Sequence, residues 1–173
     1  EQLNMEFSEV IAKRISIRKY KDTPVEPEKI AQLMEWLRIA PSAANRQEWK
    51  FVAVTDPDQL AKLRVACESR GPAMTAPLIF CICATEYQEM NDSGYNRGTI
   101  DCSIASTYLH LGTFALGLGS CWVGSFDPDM ATEIVGCPEG TRVVTVVTAG
   151  YADEDPAPRS RKALEDVAVY DRF

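Results

Sequence analysis

The segment IDCSIASTYLHLGTFALGLGSCWV, residues 100–123, settles the architecture of the chain. From Ile100 to Leu118 apolar residues fall nearly all round a helix, at Ile100, Ile104, Tyr108, Leu111, Ala115 and Leu118. A helix without a wholly polar face belongs in the middle of a molecule, packed on most sides. Gly117 and Gly119 end that pattern, and Cys121 to Val123 reads as a short strand. The flanking sequence supplies the layers around this helix. Upstream, Pro77 to Ala84 (PLIFCICA) is a continuous apolar run of strand length, and Phe51 to Val54 is a second buried strand. Asp56-Pro57 caps a helix with Leu60, Leu63 and Cys67 on its inner face. Before it, Pro27 opens a helix whose stripe Ile30, Leu33, Met34, Leu37 closes at Ala40-Pro41. Phe7, Val10 and Ile11 make a short helix that stops near Arg14. Downstream, Asp127-Pro128 caps a helix that ends at Gly136, and Arg142 to Ala149 is a β-branched strand.

Strands alternate with helices, which predicts an α/β sandwich of four or five strands with helices on both faces. Residues 1–173 read as one domain without internal repeats. Glu86 to Gly98 turns polar and is expected to be a mobile loop and the lid candidate. From Tyr151 the chain is charged and proline-containing. Its late apolar residues Val167, Val169, Tyr170 and Phe173 have no place in the core and are expected to pack on a partner subunit.

Hydrophobic residues make up 46% and charged residues 25%, and no stretch approaches the ~20 apolar residues of a bilayer span. The amino end carries no basic stretch followed by an apolar run, so the cytoplasm is the expected compartment. A net charge of −7 argues against nucleic acid or an anionic membrane as partner. Six cysteines without a CxxC or Cys/His cluster read as reduced core residues, with a redox or metal pair at Cys81 and Cys83 as the alternative. No metal site is expected.

The positive charge is gathered into two islands, Lys13 to Lys21 near the start and Arg159, Arg161 and Lys162 near the end. In an extended stretch Arg14, Ser16 and Arg18 project to one side while Ile15 and Ile17 face the core. Two guanidinium forks and a hydroxyl on one face suit a phosphate; a solvated basic edge is the plain alternative. The loop APSAANRQEW places Ser42, Asn45 and Gln47 after a buried helix, either to hold the edge of a planar heterocycle or simply to cap and turn. In GLGSCWVGSF, residues 117–126, glycines allow a backbone to approach a flat ligand beside Trp122, although such a turn is often only a helix end. It is not a nucleotide-binding GxGxxG, because a helix and not a strand precedes it. The single histidine, His110, lies inside the apolar helix and reads as a packed or interface residue, so a hydrolytic triad is not visible. The chemistry is then expected to come from an organic cofactor.

Four segments, in order, resemble the nitroreductase family over most of the chain, from Phe7 to about Tyr170. RISIRKY resembles its opening Arg-x-Ser-x-(Arg/Lys) segment, APSAANRQEW its Pro-Ser-x-x-Asn-x-Gln-Pro-Trp loop, GLGSCWVGSF its Gly-Leu-Gly turn, and PRSRKALEDV its basic closing segment. The resemblance implies an α/β (α+β) sandwich around a mixed, mainly antiparallel sheet, with a carboxy-terminal arm reaching the partner of a homodimer that holds two FMN sites at its interface. It implies that Arg14, Ile15 and Ser16 hold the FMN phosphate and ribityl chain with Arg159 and Arg161, and that Arg18 reaches the pyrimidine edge. Asn45 and Gln47 would lie near the ring, and Pro41, Ser42 and Ala43 would serve the other subunit's FMN. Trp122, Val123, Gly124 and Ser125 would line the ring, with the Gly124 N–H directed at flavin N5. The implied mechanism is ping-pong: NADH or NADPH delivers hydride, leaves, and a small organic acceptor such as a nitroaromatic or quinone takes its place. Reductive dehalogenation, or a non-catalytic flavin-binding or storage role, is the alternative. Two departures stand out: Glu48 occupies the place of the proline before Trp49, and Ala43 that of a small hydroxyl residue, which would weaken contacts with the partner flavin.

Overall fold

Strands β1 (Trp49–Val54), β2 (Leu78–Ala84), β3 (Gly119–Val123) and β4 (Arg142–Gly150) form one sheet in the order β1-β2-β4-β3, antiparallel at every junction. The computed structural model describes residues 5–173. The reading of the amino end as free of a signal therefore lies in part outside the described residues. Central β2 is buried along its whole length, as an apolar run without alternation requires of a strand covered on both faces. Its pleat sorts the core into two. Ile79, Cys81 and Cys83 face the layer of α3 (Pro57–Ala66) and α5 (Pro128–Ile134). Leu78, Phe80, Ile82 and Ala84 face α2 (Pro27–Arg38) and α4 (Arg97–Ala115). Leu33, Leu37 and Leu109 are fully removed from water between α2, α4 and the sheet, each contributing about 2 kcal/mol of burial. Asp56 and Asp127 cap α3 and α5 by accepting the Gln59 and Met130 N–H groups, as their Asp-Pro sequences signal.

Helix α4 departs from the expectation in two ways. It starts three residues before Ile100, where Asn96 accepts the Thr99 N–H at 2.8 Å, and it ends at Ala115 and not at Leu118. Cys102, Ala105 and Leu109 pack on the sheet, whereas Ile100 and Tyr108 stay 41% and 40% exposed. The polar segment before it is also more ordered in its bonding than its composition suggests. Asn91 Oδ1 accepts the Ser93 and Tyr95 N–H groups, Met90 bridges Asn96, and the Tyr87 N–H donates to the Gly140 carbonyl. It forms a hydrogen-bonded turn tied to the β4 side of the molecule.

After α1 (Phe7–Lys13), residues 14–21 run as an extended strip along the sheet edge. Ser16 pairs with Ser120 of β3 in parallel, with the Ile17 N–H on the Ser120 carbonyl at 2.9 Å. Tyr20 pairs antiparallel with Ala152, just after β4. This parallel bridge makes the edge mixed. A Cβ on Gly119 would lie 2.6 Å from Ile17 Cγ1, so only a glycine lets the strip sit this close to β3. No helix among the described residues is long and apolar enough to cross a membrane. The arm beyond Asp155 has no partner in the core, and Leu164, Tyr170 and Phe173 lie open.

Candidate functional site

The strip explains how two distant basic islands come together. Lys19 pairs with Asp153 at 3.1 Å, the Asp153 N–H donates to the Lys19 carbonyl, and the Arg18 N–H donates to Glu154 Oε1 at 2.5 Å. The chain leaving β4 is thereby laid along the strip and delivers Arg159 and Arg161 beside Arg14. A cleft of about 690 Å³ results, lined by Arg14, Ile15, Ser16, Arg18, Arg159 and Arg161, with Lys13 and a single acid, Asp155. Among the described residues none of the four guanidinium groups is salt-bridged to a carboxylate. Arg161 turns back on its own backbone, donating to the Arg159 and Ser160 carbonyls at 3.1 Å. Burial, and after it the charge of Arg161, holds the Arg14 guanidinium below its ordinary pKa. Unneutralised like charges crowded into a concavity form a site for a polyvalent anion.

The parallel register gives the cleft a direction. Along the extended strip Arg14 and Arg18 stand about 13 Å apart with Ser16 between them, beside Ser120; Trp122, Val123, Gly124 and Ser125 are not among the residues that line the cleft. Beyond Val123, Gly124 is exposed and a Cβ there would meet nothing within 4 Å, so its backbone faces open space. Trp122 is half-buried; the Val123 side chain is turned into the core, leaving only its backbone for a ligand; the Ser125 hydroxyl is engaged with Glu68 at 3.0 Å.

The loop after α2 does not line the cleft: Pro41, Ser42, Ala43, Asn45 and Gln47 stand elsewhere on the surface of the same chain. It is tightly built. Ala44, Asn45 and Gln47 adopt positive φ values of 50°, 53° and 56°, a conformation that costs a non-glycine residue about 1 kcal/mol. Three polar contacts hold it: the Gln47 N–H on Ser42 Oγ at 3.1 Å, the Ala43 N–H on Asp101 Oδ1 at 3.1 Å, and the Glu48 carboxylate on Arg97. Asp101 is 2% exposed and its Oδ2 has no protein partner. Glu48, the departure from the family's proline, thus anchors the loop to α4.

Sequence reasoning missed Asp101 as the support of this loop and read His110 as a packed or interface residue. His110 Nε2 accepts from Arg14 Nη1 at 2.9 Å, and its Nδ1 meets Ser120 Oγ at 2.5 Å. In each case the available signal was an ionisable residue inside the largely apolar stretch of α4. No group of three or more His, Cys, Asp or Glu among the described residues can hold a metal ion. Burial pushes the Cys81 and Cys102 thiols up to about 12, which makes them inert packing groups.

The family model described as the nitroreductase family matches residues 11–73 and 68–151, spanning the strip, the loop after α2, β3 and β4. The chain belongs to this family. A relative from Archaeoglobus fulgidus whose name pairs NADH dehydrogenase with NAD(P)H nitroreductase is 30% identical over 154 residues, 87% of either chain. The fold is similar to that of a nitroreductase family protein of Clostridium difficile 630, with a TM-score of 0.87 and 28% identity over 98% of this chain and 100% of that one. It is also similar to an FMN-dependent nitroreductase of Clostridium difficile R20291, with a TM-score of 0.82 and 30% identity over 95% and 98% of the two chains. The α+β sandwich expected for the family is the observed fold.

Proposed function

We propose that the chain is an FMN-dependent NAD(P)H oxidoreductase, working as a homodimer that passes hydride from NADH or NADPH to a small organic acceptor such as a nitroaromatic or a quinone. The observation that carries this reading is the meeting of Arg14, Arg18, Arg159 and Arg161, drawn from opposite ends of the chain, in one cleft. The residues present fit FMN. Arg14, Arg159 and Arg161 supply guanidinium forks for a phosphate, and Ser16 and Arg18 continue the polar lining of the same cleft.

FMN, when bound, supplies the chemistry, accepting hydride from the nicotinamide and yielding it to the acceptor in alternation. Arg14, Ser16, Arg159 and Arg161 bind and fix the phosphate. Arg18 would set a positive field along one edge of the bound flavin, and the exposed backbone N–H of Gly124 would be a donor toward its ring. Trp122 covers one part of the ring with apolar surface, and no side-chain acid or base is needed.

The second subunit is part of the reading. Phe7, Trp36, Ile39, Ile104, Tyr108 and Leu111 line an open apolar groove of about 560 Å³, where a surface helix would ordinarily be polar. A second copy covers this groove and the arm residues Leu164, Val167 and Tyr170, and it presents Pro41, Ser42 and Ala43 to the other copy's cleft. Relatives named for FMN and for NAD(P)H support the choice of cofactor and reductant.

The test is the absorption spectrum of the purified protein, with extraction of any released flavin and anaerobic additions of NADH and NADPH. Flavin bands, an FMN extract and bleaching by a nicotinamide are expected. Bound flavin that neither nicotinamide bleaches would turn the reading to a storage or binding protein. A colourless chain that ignores added FMN would remove it altogether.

A further inference from the structure

We propose that His110 is a positioning residue for Arg14, and that through Arg14 it makes the cleft select flavin bearing a terminal phosphate; this rests on the FMN reading above. The hydrogen bonds around it admit one assignment of protons. A guanidinium has donors only, so Arg14 Nη1 donates to His110 Nε2 across 2.9 Å. The ring proton then sits on Nδ1 and is donated to Ser120 Oγ at 2.5 Å. Ser120 in turn donates to Thr113 Oγ1 at 2.5 Å, and Thr113 donates to the His110 main-chain carbonyl at 2.9 Å. The chain of bonds closes on the residue where it began. Ser120 and Thr113 are buried at 2% and 0% exposure, so neither hydroxyl has water to turn to.

The choice of a neutral acceptor matters. Arg14 is repelled by Arg161 and, with no acceptor behind it, would swing away from the cleft. A carboxylate in the place of His110 would hold the guanidinium but cancel the charge the phosphate needs. A neutral imidazole orients the fork and leaves its full charge free. Burial, with the charge of Arg14 as the smaller cause, lowers the His110 pKa to about 4 and keeps the ring neutral where the protein works. Ser120 ties this arrangement to the fold, because its carbonyl also accepts the Ile17 N–H of the strip that carries Arg14.

The experiment is a fluorescence titration of the full-length deflavinated chain with FMN and with riboflavin, which lacks the phosphate. His110→Leu is expected to weaken FMN binding by about 10-fold or more, the effect of losing one hydrogen bond to a charged group, while riboflavin binding changes less than about 2-fold. His110→Gln, which keeps a carbonyl acceptor, is expected to recover most of the FMN affinity. In an Arg14→Ala background His110→Leu is expected to add nothing. If His110→Leu is not recovered folded, Ser120→Ala, which frees the ring from its orientation, should show the same FMN-selective loss. Equal loss of FMN and riboflavin, or no loss of either, overturns the proposal while the FMN reading stands. A wild-type chain that binds neither flavin takes down both.

Discussion

Glu48 and Arg97 face each other as a bidentate pair, with Arg97 Nε and Nη2 at 2.8 and 3.0 Å from the two carboxylate oxygens and side chains only 23% and 13% exposed. Arg97 is the first residue of α4, where the helix dipole disfavours a cation, so the carboxylate offsets an unfavourable charge as well as holding the loop. Glu48→Ala is expected to destabilise the fold by about 2 kcal/mol, below the range for a fully buried pair because both groups reach solvent, lowering the melting temperature by about 5 °C. The double variant Glu48→Ala, Arg97→Ala should melt no lower than the single one. Additive losses in calorimetry would show that the pair is not coupled.

Removing Arg14 and Arg161 together, as Arg14→Ala with Arg161→Ala, should leave a folded chain that no longer retains FMN. Arg161 is exposed and Arg14 is half-buried at the cleft, so the apolar core is untouched and the internal loss is the single hydrogen bond to His110. Circular dichroism reports the fold and the flavin absorbance reports the site. A double variant that still purifies yellow contradicts the phosphate assignment.

His110 also gives the stability a pH dependence of definite sign. Its folded-state pKa, about 4, lies below the ordinary value of 6.5, so the unfolded chain binds more protons in that window. The contribution is therefore complete above pH 6.5 and is lost as pH falls towards 4. By pH 5 the wild type should lose about 2 kcal/mol more than His110→Gln, relative to pH 7.5. Urea unfolding of both proteins at the two pH values checks it, and parallel curves would refute the neutral assignment.

Tyr108 lines the open apolar groove. Tyr108→Glu should leave the single chain folded, because the side chain is already 40% exposed, and shift it from dimer to monomer with loss of FMN. Sedimentation velocity distinguishes the states. An unchanged oligomer would place the subunit contact elsewhere.

Much of the layered fold was legible because its signals are local. PLIFCICA is apolar at every step and of strand length, the pattern of a strand covered on both faces, and the Asp-Pro pairs at 56–57 and 127–128 mark helix starts by their own chemistry. The first turn of α4 was hidden because Asn96 caps it from within a polar stretch. Gly119 and Ser120, poor strand formers, are held in β3 by pairing with β4 and the strip. The site divides the same way. Alternation placed Arg14, Ser16 and Arg18 on one cleft, and the clustering of positive charge near the end of the chain pointed to Arg159 and Arg161. His110, Asp101 and Glu48 escaped because their partners lie 96, 58 and 49 residues away, and nothing local encodes such pairings.

The route by which Arg161 reaches Arg14 sets an order on synthesis. A nascent chain leaving the ribosome displays Arg14 early, but the second half of the cationic cleft follows only after β4 and residues 153–154 have paired with the strip. Flavin cannot template the early stages of folding in such a molecule. On the proposed reading it is captured by a nearly finished one, and trimming the arm is expected to cost the protein its colour.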